Sequence, residues 1–141
     1  MKPAPTFPPK TFHRIRPPVN PKALEQMVAA RTSGIVSEDL ALEFRRGDGL
    51  VVASWDGFGP GRVEALGVVI GIDAAGRRQV EWVSVQFEIP LADRPRPGGQ
   101  FWSQAKPTFK FADGVAEEFG LKQSFAKHMT DPFAALRETA P

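Results

Sequence analysis

The sequence predicts an α+β fold, a small curved antiparallel, β-barrel-like sheet flanked by short helices and preceded by an extended proline-rich arm. Three observations predict it. Strand-like runs between Leu50 and Phe111 carry Trp55, Trp82 and Trp102 and are separated by glycine and proline turns. Apolar residues at helical spacing bracket those runs on both sides. Seven of the fourteen prolines fall within the first 22 residues, where a packed core is hard to build.

A chain of 141 residues with 42% hydrophobic side chains is expected to form one domain around a single core. No run approaches the roughly 20 apolar residues that span a bilayer, so no membrane association is expected. Met1 to Pro5 leads into the proline-rich segment and not into the apolar core of a secretory signal, which implies no export. The absence of cysteine excludes disulfides, thiolate metal sites and cysteine nucleophiles, and fits a cytoplasmic location.

Residues 1–20 read as the arm and residues 21–141 as the domain. Between residues 1 and 22 stand Lys2, Lys10, Arg14, Arg16 and Lys22 with no acid, whereas the other 119 residues hold 13 basic and 16 acidic side chains. The chain is thus a mildly acidic body with a basic tail. Such a tail can follow a phosphate backbone or a partner's groove, or remain a solvated terminus.

Asn20-Pro21 reads as an N-cap followed by proline at the first helical position, and Ala23, Leu24, Met27, Val28 and Ala30 supply a stripe up to Arg31. A second short helix is expected from Ser37 to about Phe44, then a turn at Arg45-Arg46-Gly47-Asp48-Gly49. Leu50 to Trp55 is a continuous apolar run halted by Asp56-Gly57-Phe58-Gly59-Pro60-Gly61, which favours a buried strand. In the next strand, Val63 to Ile72, strict alternation puts Glu64, Leu66, Val68, Ile70 and Ile72 on one face. Val63, Ala65, Gly67, Val69 and Gly71 fall on the other, and such small residues suggest a tightly bent sheet or small barrel.

Asp73-Ala74-Ala75-Gly76 fits a hairpin loop leading into a third strand. There Val83, Val85, Phe87 and Ile89 alternate with Ser84, Gln86 and Glu88, and Trp82 falls out of phase with the apolar set. A bulge near Trp82 and Val83 would restore its phase; otherwise the indole stands on the wetter face, over a ligand or closing a barrel end. A loop from Pro90 to Gly99 follows, and Phe101-Trp102 and Thr108 to Phe111 are short strand candidates. Asp113 caps a helix containing Val115 and Phe119 and ending at Gly120. Leu121, Phe125 and Met129 imply another, and Asp131-Pro132 opens a last turn with Phe133 and Leu136.

Catalytic sets are hard to assemble. His13 lies in the arm and His128 in a helix, so imidazoles and carboxylates do not cluster as a metal requires. No G-x-S-x-G elbow accompanies a serine, and the Gly57 to Gly61 loop lacks the lysine and hydroxyl of a phosphate loop. No enzyme activity, cofactor or metal is expected; a small hydrolase would need His128 or a carboxylate beside a nucleophile. Nucleic-acid binding is better furnished. Arg94, Arg96, Lys106 and Lys110 flank Phe101, Trp102, Phe109 and Phe111, so that cations can neutralise phosphates while rings stack on bases.

The strings Gly49-Leu50-Val51-Val52-Ala53-Ser54-Trp55-Asp56-Gly57, Ala65-Leu66-Gly67-Val68-Val69 and Val80-Glu81-Trp82 resemble the opening of the EVE and wider PUA-like superfamily, over about residues 48–111. The resemblance implies a small β-barrel flanked by helices and, as in EVE and YTH members, an aromatic pocket for a flipped or modified base. It points to Ser54, Trp55, Trp82 and Trp102 as pocket walls, with Arg94, Arg96, Lys106 and Lys110 on the adjoining backbone of DNA or RNA. The alternative is a protein-interaction subunit that docks through its proline-rich arm and apolar sheet surface.

Overall fold

The computed structural model of the chain describes residues 5, 7–15, 21–31, 44–54, 61–72, 78–89, 108–111, 116, 117 and 120–134. Among the described residues, five strands and two helices occur in the order β1 (Phe12–Ile15), α1 (Pro21–Ala30), β2 (Gly49–Ser54), β3 (Gly61–Ile72), β4 (Arg78–Ile89), β5 (Thr108–Lys110) and α2 (Leu121–His128). The strands form one sheet in the order β4-β3-β2-β1-β5. β2, β3 and β4 are an antiparallel meander; β1 pairs in parallel with β2 and antiparallel with β5. The fold is therefore α+β as expected, but the sheet is mixed, and among the described strands β4 and β5 are two separate edges.

The parallel strand corrects the reading of the N-terminal 20 residues as a tail. Phe12, His13, Arg14 and Ile15 are all buried, in the second position from the β5 edge. The segment looked unfit for a core because prolines surround it, yet Phe12 to Ile15 contains none, and four residues suffice for a short central strand.

Both faces of the sheet are covered, which explains the continuous apolar run in β2. On one face Phe12, Val51, Ala53, Val63, Leu66, Val68, Val85 and Ile89 pack with Phe111, Ala116, Phe133 and the α2 residues Leu121 and Phe125. On the other, Ile15, Leu50, Val52, Ala65, Val69 and Val80 pack with Phe44 and with Met27 and Leu24 of α1. The helix expected from the Ala23 to Ala30 stripe is thus present and lies on the sheet through Leu24 and Met27 of that stripe, while Ala30 is exposed. The short helix expected from Ser37 falls outside the described residues except for Phe44, which is fully buried and not helical.

Strict alternation fails in β3 at a bulge. Val52 pairs with Ala65 while Ala53 pairs with Val63, so Glu64 is an extra residue against β2. Val63 thereby joins Leu66 and Val68 on the α2 side, and Ala65 stays with Val69 on the α1 side. A second irregularity makes Ile70 extra against β4, since Val69 pairs with Val80 and Gly71 with Gln79. Bulges of this kind bend a strand and re-aim its side chains.

Trp82 stands on the face of β4 that also carries the exposed Ser84, Gln86 and Glu88, the second of the two expected placements. Pairing runs evenly through Ser84, Val83, Trp82, Glu81 and Val80, so no bulge lies there. At the Val80 end that face is covered by the second core, against which the half-buried indole packs. Gly67 is its cross-strand partner, and a Cβ on that residue would stand 2.6 Å from Trp82 Cε3 and 2.7 Å from Val80 Cγ1. The small residue makes room for an indole laid over the neighbouring strand, an arrangement in which an aromatic shields a strand glycine.

In the C-terminal segment the helix expected from Asp113 lies outside the described residues except for Ala116 and Glu117, and Leu136 lies outside them too, while the signals at Gly120 and Asp131 are present. Gly120 has φ 65°, its N–H donates to Glu117 O, and α2 starts directly after it. Phe133 N–H donates to Asp131 Oδ1 at 2.8 Å, the side-chain cap expected of Asp131-Pro132. Phe133 is 1% exposed and joins the core under β3 and α2.

Candidate functional site

Of the residues proposed from sequence as pocket walls or backbone contacts, Ser54, Trp82 and Lys110 are described; Trp55, Arg94, Arg96, Trp102 and Lys106 lie outside the described residues, as do the side chain of Phe109 and the Phe101 ring. Trp82 and, by alternation with Ala53, Ser54 stand on the α1 face. Lys110 pairs with His13 across an antiparallel ladder and is on the same face. Ser54 and Trp82 are nonetheless far apart along the strands, because Ser54 pairs with Arg62 and Trp82 with Gly67. The described pair does not form one pocket.

What the topology does bring together is charge. At the end of the sheet where β1, β2 and β4 begin and β3 and β5 finish, Lys10, Arg45, Arg46 and Lys110 are all exposed. The ion pairs among the described residues, His13 with Asp48 and Arg31 with Glu81, involve none of these four. The four cations therefore have no carboxylate partner among the described residues.

The turn that carries two of them is held from below. Asp48 Oδ2 accepts from His13 Nε2 at 2.9 Å and from the Arg45 backbone N–H at 3.0 Å, and Gly47 closes the turn with φ 95°. The imidazole is 2% exposed and meets the Phe44 ring edge-on at 4.9 Å; its Nδ1 is buried and has no hydrogen-bond partner among the described residues. His13, read from sequence as an arm residue, is instead the pillar of this turn. Asp48→Ala is expected to lower stability by about 1–3 kcal/mol, because it strips the remaining partner from a buried ring nitrogen. Urea unfolding measures it, and Asp48→Asn, which keeps an acceptor oxygen, should lose less.

Arg46 is fixed twice. Its Nε donates to Ile70 O at 3.1 Å and its guanidinium lies 5.2 Å from the Phe133 ring centroid, so the terminal nitrogens remain for a ligand with two acceptor oxygens. Ile70 and Phe133 also line a cleft of about 470 Å³, together with Arg31, Glu81, Thr130, Asp131 and Pro132. Two features of its walls are unusual. Ile70 is the extra residue of a bulge, and Arg31 holds a left-handed backbone at φ 57°. That conformation costs a non-glycine residue about 1–2 kcal/mol and is kept here by Arg31 O accepting from Val80 N–H and by the Arg31–Glu81 ion pair. Strained backbone and bulges gather at ligand sites.

Sequence reasoning singles out Lys110, and Lys10 as part of the basic segment, but neither the cleft nor the gathering of these cations with Arg45 and Arg46. The doublet Arg45-Arg46 within a glycine turn was the available local signal; the cleft joins residues 31, 70, 81 and 130–133, which no spacing relates. Among the described residues no three histidine or acidic side chains cluster to hold a metal, and no helix is long and apolar enough to cross a membrane. His128 stacks on Phe87, with centroids 5.4 Å apart and planes at 4°. Compared with protein-family models, curated proteins and solved structures, the chain matches none.

Proposed function

We propose that the chain is a binding module without chemistry of its own that takes a strand of nucleic acid by its phosphates. The observation that carries this reading is the set of exposed cations Lys10, Arg45, Arg46 and Lys110, gathered at one sheet end and without carboxylate partners among the described residues. Cations without a described carboxylate partner are suited to phosphate oxygens, and Arg46, already oriented, loses little freedom on binding. Arg94, Arg96 and Lys106 are further candidates for phosphate contact from sequence, outside the described residues. The resemblance to EVE and PUA-like domains points the same way, with Trp55, Trp82 and Trp102 as candidate ring contacts.

The test is a salt titration. Binding of a labelled single strand, read by fluorescence anisotropy, should weaken linearly in log Kd against log salt, and Arg45→Ala with Arg46→Ala should reduce that slope by about two. Both substitutions are at exposed positions, so folding should survive. An affinity indifferent to salt would overturn the proposal and favour the protein-interaction alternative, since apolar interfaces respond little to ionic strength.

A further inference from the structure

We propose that the cleft beside Arg46 receives an unpaired guanine base of the bound strand. This rests on the nucleic-acid reading above and assigns the base-reading site to Arg31, Glu81 and the wall around Phe133, away from the tryptophans.

The argument begins with hydrogen-bond inventory. A carboxylate is acceptor-only, with two oxygens side by side. Among the bases, guanine alone offers two adjacent N–H donors on its pairing edge, N1–H and N2–H₂, followed by the acceptors O6 and N7. Glu81 and Arg31 are neighbours in the cleft wall through their ion pair, which places two acceptors next to a fork of donors. Read along the guanine edge, Glu81 accepts from N2 and N1 while Arg31 donates to O6 and N7, the commonest arginine–base pairing. Adenine and cytosine put an acceptor where guanine has N1–H, against the carboxylate. Uracil and thymine flank their single N–H with two carbonyls.

The remaining walls suit the rest of a nucleotide. Ile70 and Pro132 give apolar surface for the base, and a cleft of about 470 Å³ has room for a purine with its sugar. Arg46, tied to Ile70 O and the Phe133 ring, stands beside that wall and takes the attached phosphate. The Arg31–Glu81 pair is half-exposed, with side chains 55% and 42% accessible. A base can therefore reach both groups without unfolding anything, and the pair itself contributes little to stability.

The experiment compares short thymidine strands carrying one central guanine, inosine or adenine. Inosine keeps N1–H and O6 but lacks the N2 amino group. The guanine strand should bind about tenfold tighter than the adenine strand, with inosine between them. Glu81→Gln should erase the guanine preference and leave the salt slope unchanged, and Thr130→Trp, at an exposed cleft position, should reduce guanine binding by a similar factor. Equal affinity for all three strands, or a preference for adenine, with a steep salt slope retained, overturns the cleft assignment alone. No binding of any strand overturns both this inference and the nucleic-acid reading. Should Glu81→Gln fail to fold, the three-strand comparison on the unaltered chain still decides.

Discussion

Phe12→Ala is expected to destabilise the protein by about 3–5 kcal/mol, the range for emptying a buried aromatic position. Phe12 is 2% exposed and its ring lies 5.3 Å from that of Phe125, tilted by 55°. Between them the backbone of Gly49 comes so near that an added Cβ would be 2.8 Å from Phe12 Cδ1 and 3.0 Å from Phe125 Cζ. Removing the ring opens a void where β1, β2 and α2 meet, and the surroundings have little freedom to collapse into it. Since small domains are stable by about 5–15 kcal/mol, the loss takes a large share of the total. Equilibrium denaturation in urea measures it. A residue in a solvated tail would change stability by a few tenths, so a loss under about 1 kcal/mol would remove Phe12 from the core.

Gly67→Val is expected to cost about 1–3 kcal/mol through overpacking. The new methyls arrive where Trp82 and Val80 already stand, with Cβ alone 2.6 Å from Cε3 of the indole. The indole is half-buried and backed by the second core, so it has to turn outward or the strands have to part. A double-mutant cycle identifies the cause. Combined with Trp82→Ala, the valine should be less damaging than alone, with a coupling of about 0.5–3 kcal/mol, because the main obstacle has gone. Strict additivity of the two changes would show that the glycine is required for some other reason.

These two positions mark where the sequence was readable and where it was not. The α1 stripe, the β2 run, the β3 and β4 strands, the Thr108 strand, the Gly120 stop and the Asp131 cap all declare themselves within a few residues, and each is present. Gly67 and its small neighbours suggest only a bent sheet from sequence, whereas the space beside Gly67 is taken by an indole fifteen positions along the chain. Phe12 announced nothing. Its strand has four residues, and its pairing with Gly49 to Val52 depends on chain that arrives much later. The site divides in the same way. Arg45 and Arg46 stand in a recognisable turn, whereas the support from His13, Ile70 and Phe133 comes from three separate parts of the chain.

The place of β1 between β2 and β5 also bears on how the protein is made. During synthesis β1 leaves the ribosome before either strand it pairs with and must wait, because its neighbour on one side begins at Gly49 and on the other at Thr108. The β2–β3–β4 meander can zip up from contiguous chain in the meantime, and closing the sheet then requires both extremities to arrive at the same seam. Pairings of such wide sequence separation are slow to form. Deleting Phe12 to Ile15 would therefore not shave an edge but pull out an inner stave, leaving β5 with none of the other described strands beside it.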